Sequence, residues 1–134
     1  MEDEIRVAIR TDADVVTARQ EARTMGAALG FTSTDLTLLA TAISEIARNI
    51  TTYAGEGEVL LRLVSEGGRE GIEVIAADDG PGIADVERAM QDGYTTGNGL
   101  GLGLPGTRRL VDDFDLRTAP GAGTTIRLVK WARA

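Results

Sequence analysis

TTGNGLGLGLPGTRRL, Thr95 to Leu110, places glycines at 97, 99, 101, 103 and 106 and then turns into a helix-forming segment. Its part GLGLPG, Gly101 to Gly106, satisfies the dinucleotide pattern G-x-G-x-x-G literally. That pattern works where a strand leads straight into the first glycine and an acid about 20 residues on reaches the ribose. Here Gly93-Tyr94-Thr95-Thr96-Gly97-Asn98-Gly99-Leu100 precedes Gly101, and no acid follows Asp115. The Rossmann reading fails on context. Glycines alone read as a surface loop, so the meaning of this one depends on the rest of the chain.

Around the loop, helices alternate with hairpin-linked strands. Ile5, Val7 and Ile9 alternate with Arg6, Ala8 and Arg10, the period of a half-buried strand. Thr11 or Asp12 caps a helix expected over Ala13–Leu29 and ended by Gly30; Thr32, Ser33 or Thr34 caps a second. In the second, Leu39, Ile43, Ile46 and Ile50 form one apolar stripe, which stops near Tyr53, ahead of Gly55 and Gly57. Glu58–Val64 and Gly71–Ala77 are expected hairpin strands joined by the polar turn Ser65–Arg69. DDGPG, Asp78–Gly82, cannot continue the second strand, and Asp79 is read as solvent-facing. A short helix is expected at Val86–Met90 and another at Leu104–Asp113, then strands at Leu116–Thr118 and Thr124–Trp131 with PGAGT between. This order predicts an α+β two-layer sandwich: a mixed, mainly antiparallel sheet with helices on one face, one domain over residues 1–134.

Absences narrow the chemistry. The 134 residues include no histidine and no cysteine, which removes Ser-His-Asp catalysis, imidazole or thiolate zinc sites and a phosphohistidine on this chain. Lys130 is the one lysine among 14 basic residues, so neither a Walker A G-K-[ST] nor the early strand lysine of a eukaryotic-type kinase can be built. A net charge of −7 argues against a nucleic-acid partner, whose phosphates select clustered positive charge. The length and the 43% hydrophobic share suit one globular core. With no bilayer-length apolar run and no signal-peptide pattern, a cytoplasmic protein without a membrane partner is expected.

Four polar or glycine-rich groups follow one another. Glu45 and Asn49, E-x-x-x-N, share a helical face offset from the apolar stripe. An asparagine oxygen can ligate Mg²⁺ beside substrate phosphates, and a carboxylate one turn away can take a proton from an attacking hydroxyl. Taken alone, the pair reads as a solvated i,i+4 pair on an exposed face. Asp78 ends an apolar strand, where it can accept a hydrogen bond from an exocyclic amine such as adenine's, and Gly80 and Gly82 let the backbone pass close to a base. As a lone motif this is a tight turn. Gly97, Gly99, Gly101 and Gly103, with Leu102 among them, can offer backbone N–H groups to phosphate oxygens, aided by the positive end of the helix near Leu104. Gly121, Gly123 and Thr124 form G-x-G-T, by itself a hairpin turn.

In this order the set resembles the N, G1, G2 and G3 boxes of the Bergerat-fold (GHKL) ATPases, which include gyrase, Hsp90, MutL and the sensor histidine kinases. The stretches TAISEIARNI (Thr41–Ile50), DDGPGI, MQDGYTTGNGLGLGLPGTRRLVDDF (Met90–Phe114) and the closing Lys130-Trp131 are similar to the RsbT-type serine-protein kinases of that superfamily, over nearly the whole chain. The resemblance implies an ATP- and Mg²⁺-dependent kinase that phosphorylates a serine on a STAS-domain antagonist protein of a stressosome-like complex, in bacterial stress-response partner switching. It also implies activation of a PP2C-type phosphatase. Glu45 would be the catalytic carboxylate, and Asn49 the Mg²⁺ ligand. Asp78 would read adenine in a pocket shaped by Gly80 and Gly82. Gly97, Gly99, Gly101, Leu102 and Gly103 would hold phosphate, and Thr124 would line the adenine end. The sequence departs from the sensor histidine kinases at Thr52, where those carry a lysine, and Arg48 or another arginine is the substitute charge. The alternative is an RsbW-like anti-sigma factor that binds a sigma subunit and phosphorylates its antagonist; both use the same ATP site.

Overall fold

The computed structural model describes residues 4–82 and 103–132. The helix expected at Val86–Met90 lies outside them. The described elements are β1 (Glu4–Ile9), α1 (Asp12–Ala28), α2 (Ser33–Tyr53), β2 (Gly57–Glu66), β3 (Arg69–Asp78), α3 (Gly103–Leu110), β4 (Asp113–Thr118) and β5 (Thr124–Trp131). The strands form one sheet in the order β1-β2-β3-β5-β4, with antiparallel pairing at each junction.

Side-chain alternation explains why one face of this sheet is covered. Val74 lies between Leu61 and Leu128, and Ala76 between Val59 and Ile126. These residues, with Val7 and Ile9, are buried in one core with Leu39, Ile43, Ile46 and Ile50 of α2 and Val15, Ala18 and Ala22 of α1. The apolar stripe of α2 therefore packs on the sheet, and α1 packs beside it. At their crossing, Gly26 brings α1 close enough that a Cβ would lie 2.7 Å from Leu36 Cδ2. On the opposite sheet face Glu73 is buried by charge pairing, held by Arg62 and Arg127 of the two flanking strands.

Two local expectations change. The β2–β3 hairpin closes on two residues, Gly67 and Gly68, not on a loop from Ser65 to Arg69. Both glycines have positive φ, +59° and +82°, as a two-residue turn matched to strand twist requires. Meanwhile α3 stops at Leu110, short of Asp113, because the next residues are taken by β5. Asp112 donates its N–H to the Val129 carbonyl at 3.0 Å, and its Oδ2 accepts the Trp131 N–H at 2.8 Å. The Lys130 ammonium donates to the Leu110 carbonyl at 3.0 Å. Strand β4 accordingly starts at Asp113, three residues before the expected Leu116.

Candidate functional site

The first motif rides on α2, whose N-terminus is set by Thr32: its hydroxyl accepts the Asp35 N–H at 3.1 Å. With the stripe from Leu39 to Ile50 fixed against the sheet, Glu45 is turned to the flank of the helix. It is nonetheless only 9% exposed, and Asn49 is half-buried. This is not a solvated surface pair. Arg48 places Nη1 3.4 Å from Glu45 Oε1 and also lines a cleft of about 380 Å³ between α1 and the C-terminal half of α2. Asp12, Val15 and Arg19 line its α1 side, and Thr51 and Thr52 the other. Arg48 thus connects an open cleft to a nearly buried carboxylate.

The second motif begins where β3 ends. Asp78 is half-buried, and its Oδ1 accepts the Gly80 N–H at 2.9 Å, folding the chain back at once. Its cross-strand neighbours are Gly57 on β2 and Thr124 on β5. Gly57 has a role that the sequence reading missed, where it served only to end a helix. A Cβ there would lie 2.9 Å from Ile50 Cγ2 and 3.1 Å from Asp78 Cβ, so its absence leaves room for the aspartate beneath α2. The available signal was register: counting back from the two-residue turn sets Gly57 opposite Asp78. Asp79 is exposed, as expected.

The loops after Asp78 and before Thr124 interlock. Gly80 lies against Ala54, the residue that caps α2, and a Cβ on Gly80 would be 2.5 Å from Ala54 Cβ. The Gly82 backbone lies against the Ala119 carbonyl, and Gly121 donates its N–H to the Pro81 carbonyl at 2.7 Å. Gly123, with φ +77°, presses on the Asp78 carbonyl so closely that no side chain fits between them. Thr124 is buried, its hydroxyl 3.0 Å from that of Thr118, which also donates to the Gly123 carbonyl at 3.0 Å. The G-x-G-T stretch is therefore more than a hairpin turn: it buttresses the end of β3.

Of the glycine run, Gly103 is described and opens α3; Gly97, Gly99, Gly101 and Leu102 lie outside the described residues. Helix α3 packs on α2, with Leu104 and Thr107 buried. The structure thus brings Asp78, Gly80, Gly82, Gly123 and Thr124 together at the C-terminal end of α2. Glu45 and Asn49 lie farther along the same helix, about 13 and 7 Å from Ala54 by helical rise. This arrangement has the chemistry of a nucleotide site. A strand-end carboxylate can take an amine hydrogen, glycines admit a planar ring, and an amide oxygen and a carboxylate stand farther along. Among the described residues no three acidic side chains converge to hold a metal by themselves, so an ion on Asn49 would share its shell with phosphate oxygens.

Known proteins resemble this chain. The family model for the histidine kinase-like ATPase domain matches residues 9–130. Serine/threonine-protein kinase RsbT of Bacillus subtilis (strain 168) is 47% identical over 133 residues, covering 99% of this chain and 100% of its own length. The anti-sigma F factor of Thermoanaerobacter sp. (strain X514) is 31% identical over 120 residues, covering 85% of this chain and 82% of that protein. In three dimensions, a structure of RsbU and RsbW domains from Mycobacterium tuberculosis superposes with a TM-score of 0.65 at 19% identity. It covers 99% of this chain, which spans 34% of that longer one and shares its fold. No described helix is long and apolar enough to cross a membrane. The chain belongs to the histidine kinase-like ATPase family and, within it, to the RsbT-type serine/threonine-protein kinases.

Proposed function

We propose that the protein transfers the γ-phosphate of ATP, with Mg²⁺, to a serine of a STAS-domain antagonist protein in a stressosome-like complex, and that it also activates a PP2C-type phosphatase by binding it. The observation that carries this reading is the interlock at one end of α2, where Gly80 lies on Ala54 and Gly123 on the Asp78 carbonyl. Two loops separated by some forty residues close around one carboxylate, with glycines where side chains would collide. The glycine cradle and the donor set of Asp78, Asn49 and Glu45 fit ATP and Mg²⁺.

In this reading Asp78, its Oδ1 held by the Gly80 N–H, accepts the adenine amine on its other oxygen. Thr124 lines the same end, and Gly80 and Gly82 keep the walls thin. Asn49 supplies a hard oxygen to Mg²⁺, which when bound neutralises triphosphate charge and orients the terminal phosphate. The run of Gly97, Gly99, Gly101, Leu102 and Gly103 presents backbone N–H groups to the phosphates. Glu45 accepts the proton of the serine hydroxyl as its oxygen bonds to phosphorus and the bond to the ADP oxygen breaks. Arg48, its Nη1 3.4 Å from Oε1, holds that carboxylate in place.

Glu45→Gln keeps the shape and removes the base. The variant should bind ATP as wild type does and lose transfer to a STAS-domain substrate by about 10²–10⁴-fold. Undiminished transfer would remove Glu45 from the chemistry. The anti-sigma F relatives favour a second reading, in which the chain also binds a sigma subunit and phosphorylates its antagonist. Capture of a sigma factor by the purified protein would select it.

A further inference from the structure

Among the described residues, Lys130 stands apart from the other cations. It is the only buried one among the described residues, at 5% exposure, on the helix-facing side of β5 in line with Ile126 and Leu128. Lysine is almost never fully buried unless paired, since the ammonium loses its hydration. Here Nζ lies 3.7 Å from Oδ1 of Asp35, which is 1% exposed in the first turn of α2. It also donates to the carbonyl of Leu110, the last residue of α3, at 3.0 Å. One compact charge therefore ties three elements: β5 through its backbone, α2 through a carboxylate, and α3 through its C-terminal carbonyl. A positive charge there also complements the negative end of the α3 dipole. A lysine meets one carboxylate and one carbonyl as a point charge, where the planar fork of arginine would demand a wider site.

We infer that Lys130 is a positioning residue for phosphate binding: by fixing the far end of α3, it aims the Gly103 backbone at the start of this helix. The inference rests on the nucleotide reading above, because it needs the Gly103 end of α3 to meet phosphate. The lever is short and stiff. Eight residues make a helix about 12 Å long, so a tilt of roughly 10° about Leu110 moves Gly103 by about 2 Å. An N–H···O bond works over a window of about half an ångström, and such a displacement breaks it. Asp112, bonded to both Val129 and Trp131, holds the chain just beyond the pivot and limits sliding. The orientation of α3 is then set jointly by the packing of Leu104 and Thr107 on α2 and by the ammonium at its C-terminal end.

The test compares ATP with AMP, which share the base end of the site and differ at the terminal phosphates. Lys130→Met alone strands the Asp35 charge, so the decisive variant is the double substitution Lys130→Met/Asp35→Leu, which replaces both ends of the pair with apolar groups and should fold. Calorimetry on this variant should show AMP affinity like that of wild type, ATP affinity weaker by about ten-fold, and phosphoryl transfer slower by on the order of 100-fold. A purely structural role would lower the melting temperature and leave the ATP-to-AMP ratio unchanged. A folded double variant with the wild-type ratio and rate overturns the anchor while leaving the nucleotide site intact. If wild-type protein binds neither nucleotide, the site reading itself falls, and the anchor with it.

Discussion

The contact between Gly123 and Asp78 joins fold to site most directly, and a single methyl group probes it. Gly123 has φ +77°, where an L-residue pays about 1–2 kcal/mol for the left-handed conformation. Its Cβ would fall under 3.0 Å from the Asp78 carbonyl oxygen and 3.1 Å from Asp79 Cα, both backbone atoms that cannot rotate aside. Overpacking of that kind adds roughly 1–3 kcal/mol. Gly123→Ala should therefore cost about 2–5 kcal/mol, a large part of the roughly 5–15 kcal/mol typical of a whole domain. What relieves the clash is a shift of the β3 end on the order of 1 Å, which carries the Asp78 carboxylate with it. Gly121→Ala is the matched control: φ is +76°, but nothing lies within 4 Å of the added carbon. The control should lose only the 1–2 kcal/mol of backbone strain. Urea unfolding gives the stabilities, and calorimetric titration with ADP gives the site. Gly123→Ala should weaken ADP binding by about ten-fold or more while Gly121→Ala leaves it alone. Equal stabilities for the two variants, or intact ADP affinity in a folded Gly123→Ala, would refute the claim that this contact sets Asp78.

Two further outcomes follow from the same geometry. Asn49→Ala should abolish the magnesium-dependent part of ATP affinity and leave the magnesium-free part; titrations with and without EDTA check this, and an unchanged magnesium effect places the ion elsewhere. Asp14 Oδ2 accepts the N–H groups of Arg10 at 2.9 Å and Thr11 at 3.1 Å, bonds that hold its carboxyl below the usual carboxylate range. A depressed folded-state pKa gives stability that is complete above the unfolded carboxylate pKa and is lost as pH falls through the lower, folded value. Asp14→Ala should thus flatten the acid limb of a urea-midpoint profile, and an unaltered limb would show that the bonds contribute nothing.

What could be read from residue order, and what could not, divides by range of interaction. The stripe Leu39-Ile43-Ile46-Ile50 and the Thr32 cap are local signals, and α2 runs from Ser33 to Tyr53 as they require. The five-residue turn from Ser65 to Arg69 shrank to two because Gly67 and Gly68 both accept positive φ, which lets Ser65 and Glu66 pair with Glu70 and Arg69. By contrast, the end of α3 is decided by Val129, Lys130 and Trp131, some twenty residues on, and no helix-period count can see them. The same holds for Glu45 and Asn49. Periodicity puts them on one face; only tertiary packing decides whether that face is wet.

Lys130 carries this lesson furthest. In TTIRLVKW the alternation of β5 places Thr124, Ile126, Leu128 and Lys130 on the helix-facing side. A pattern reading would end the apolar row at Leu128 and send the lysine to solvent. It stays inside because Asp35, near the start of α2, arrives where the ammonium can reach it, and because α3 ends at Leu110, four residues short of the turn that would satisfy the Leu110 carbonyl. Helix ends leave such carbonyls without intrahelical partners, and a buried one must be met by something. A charge that seems misplaced along the strand is thus what the termini of two helices require. Where the sequence violates its own binary pattern inside this core, the violation marks the junction at which β5, α2 and α3 are tied together.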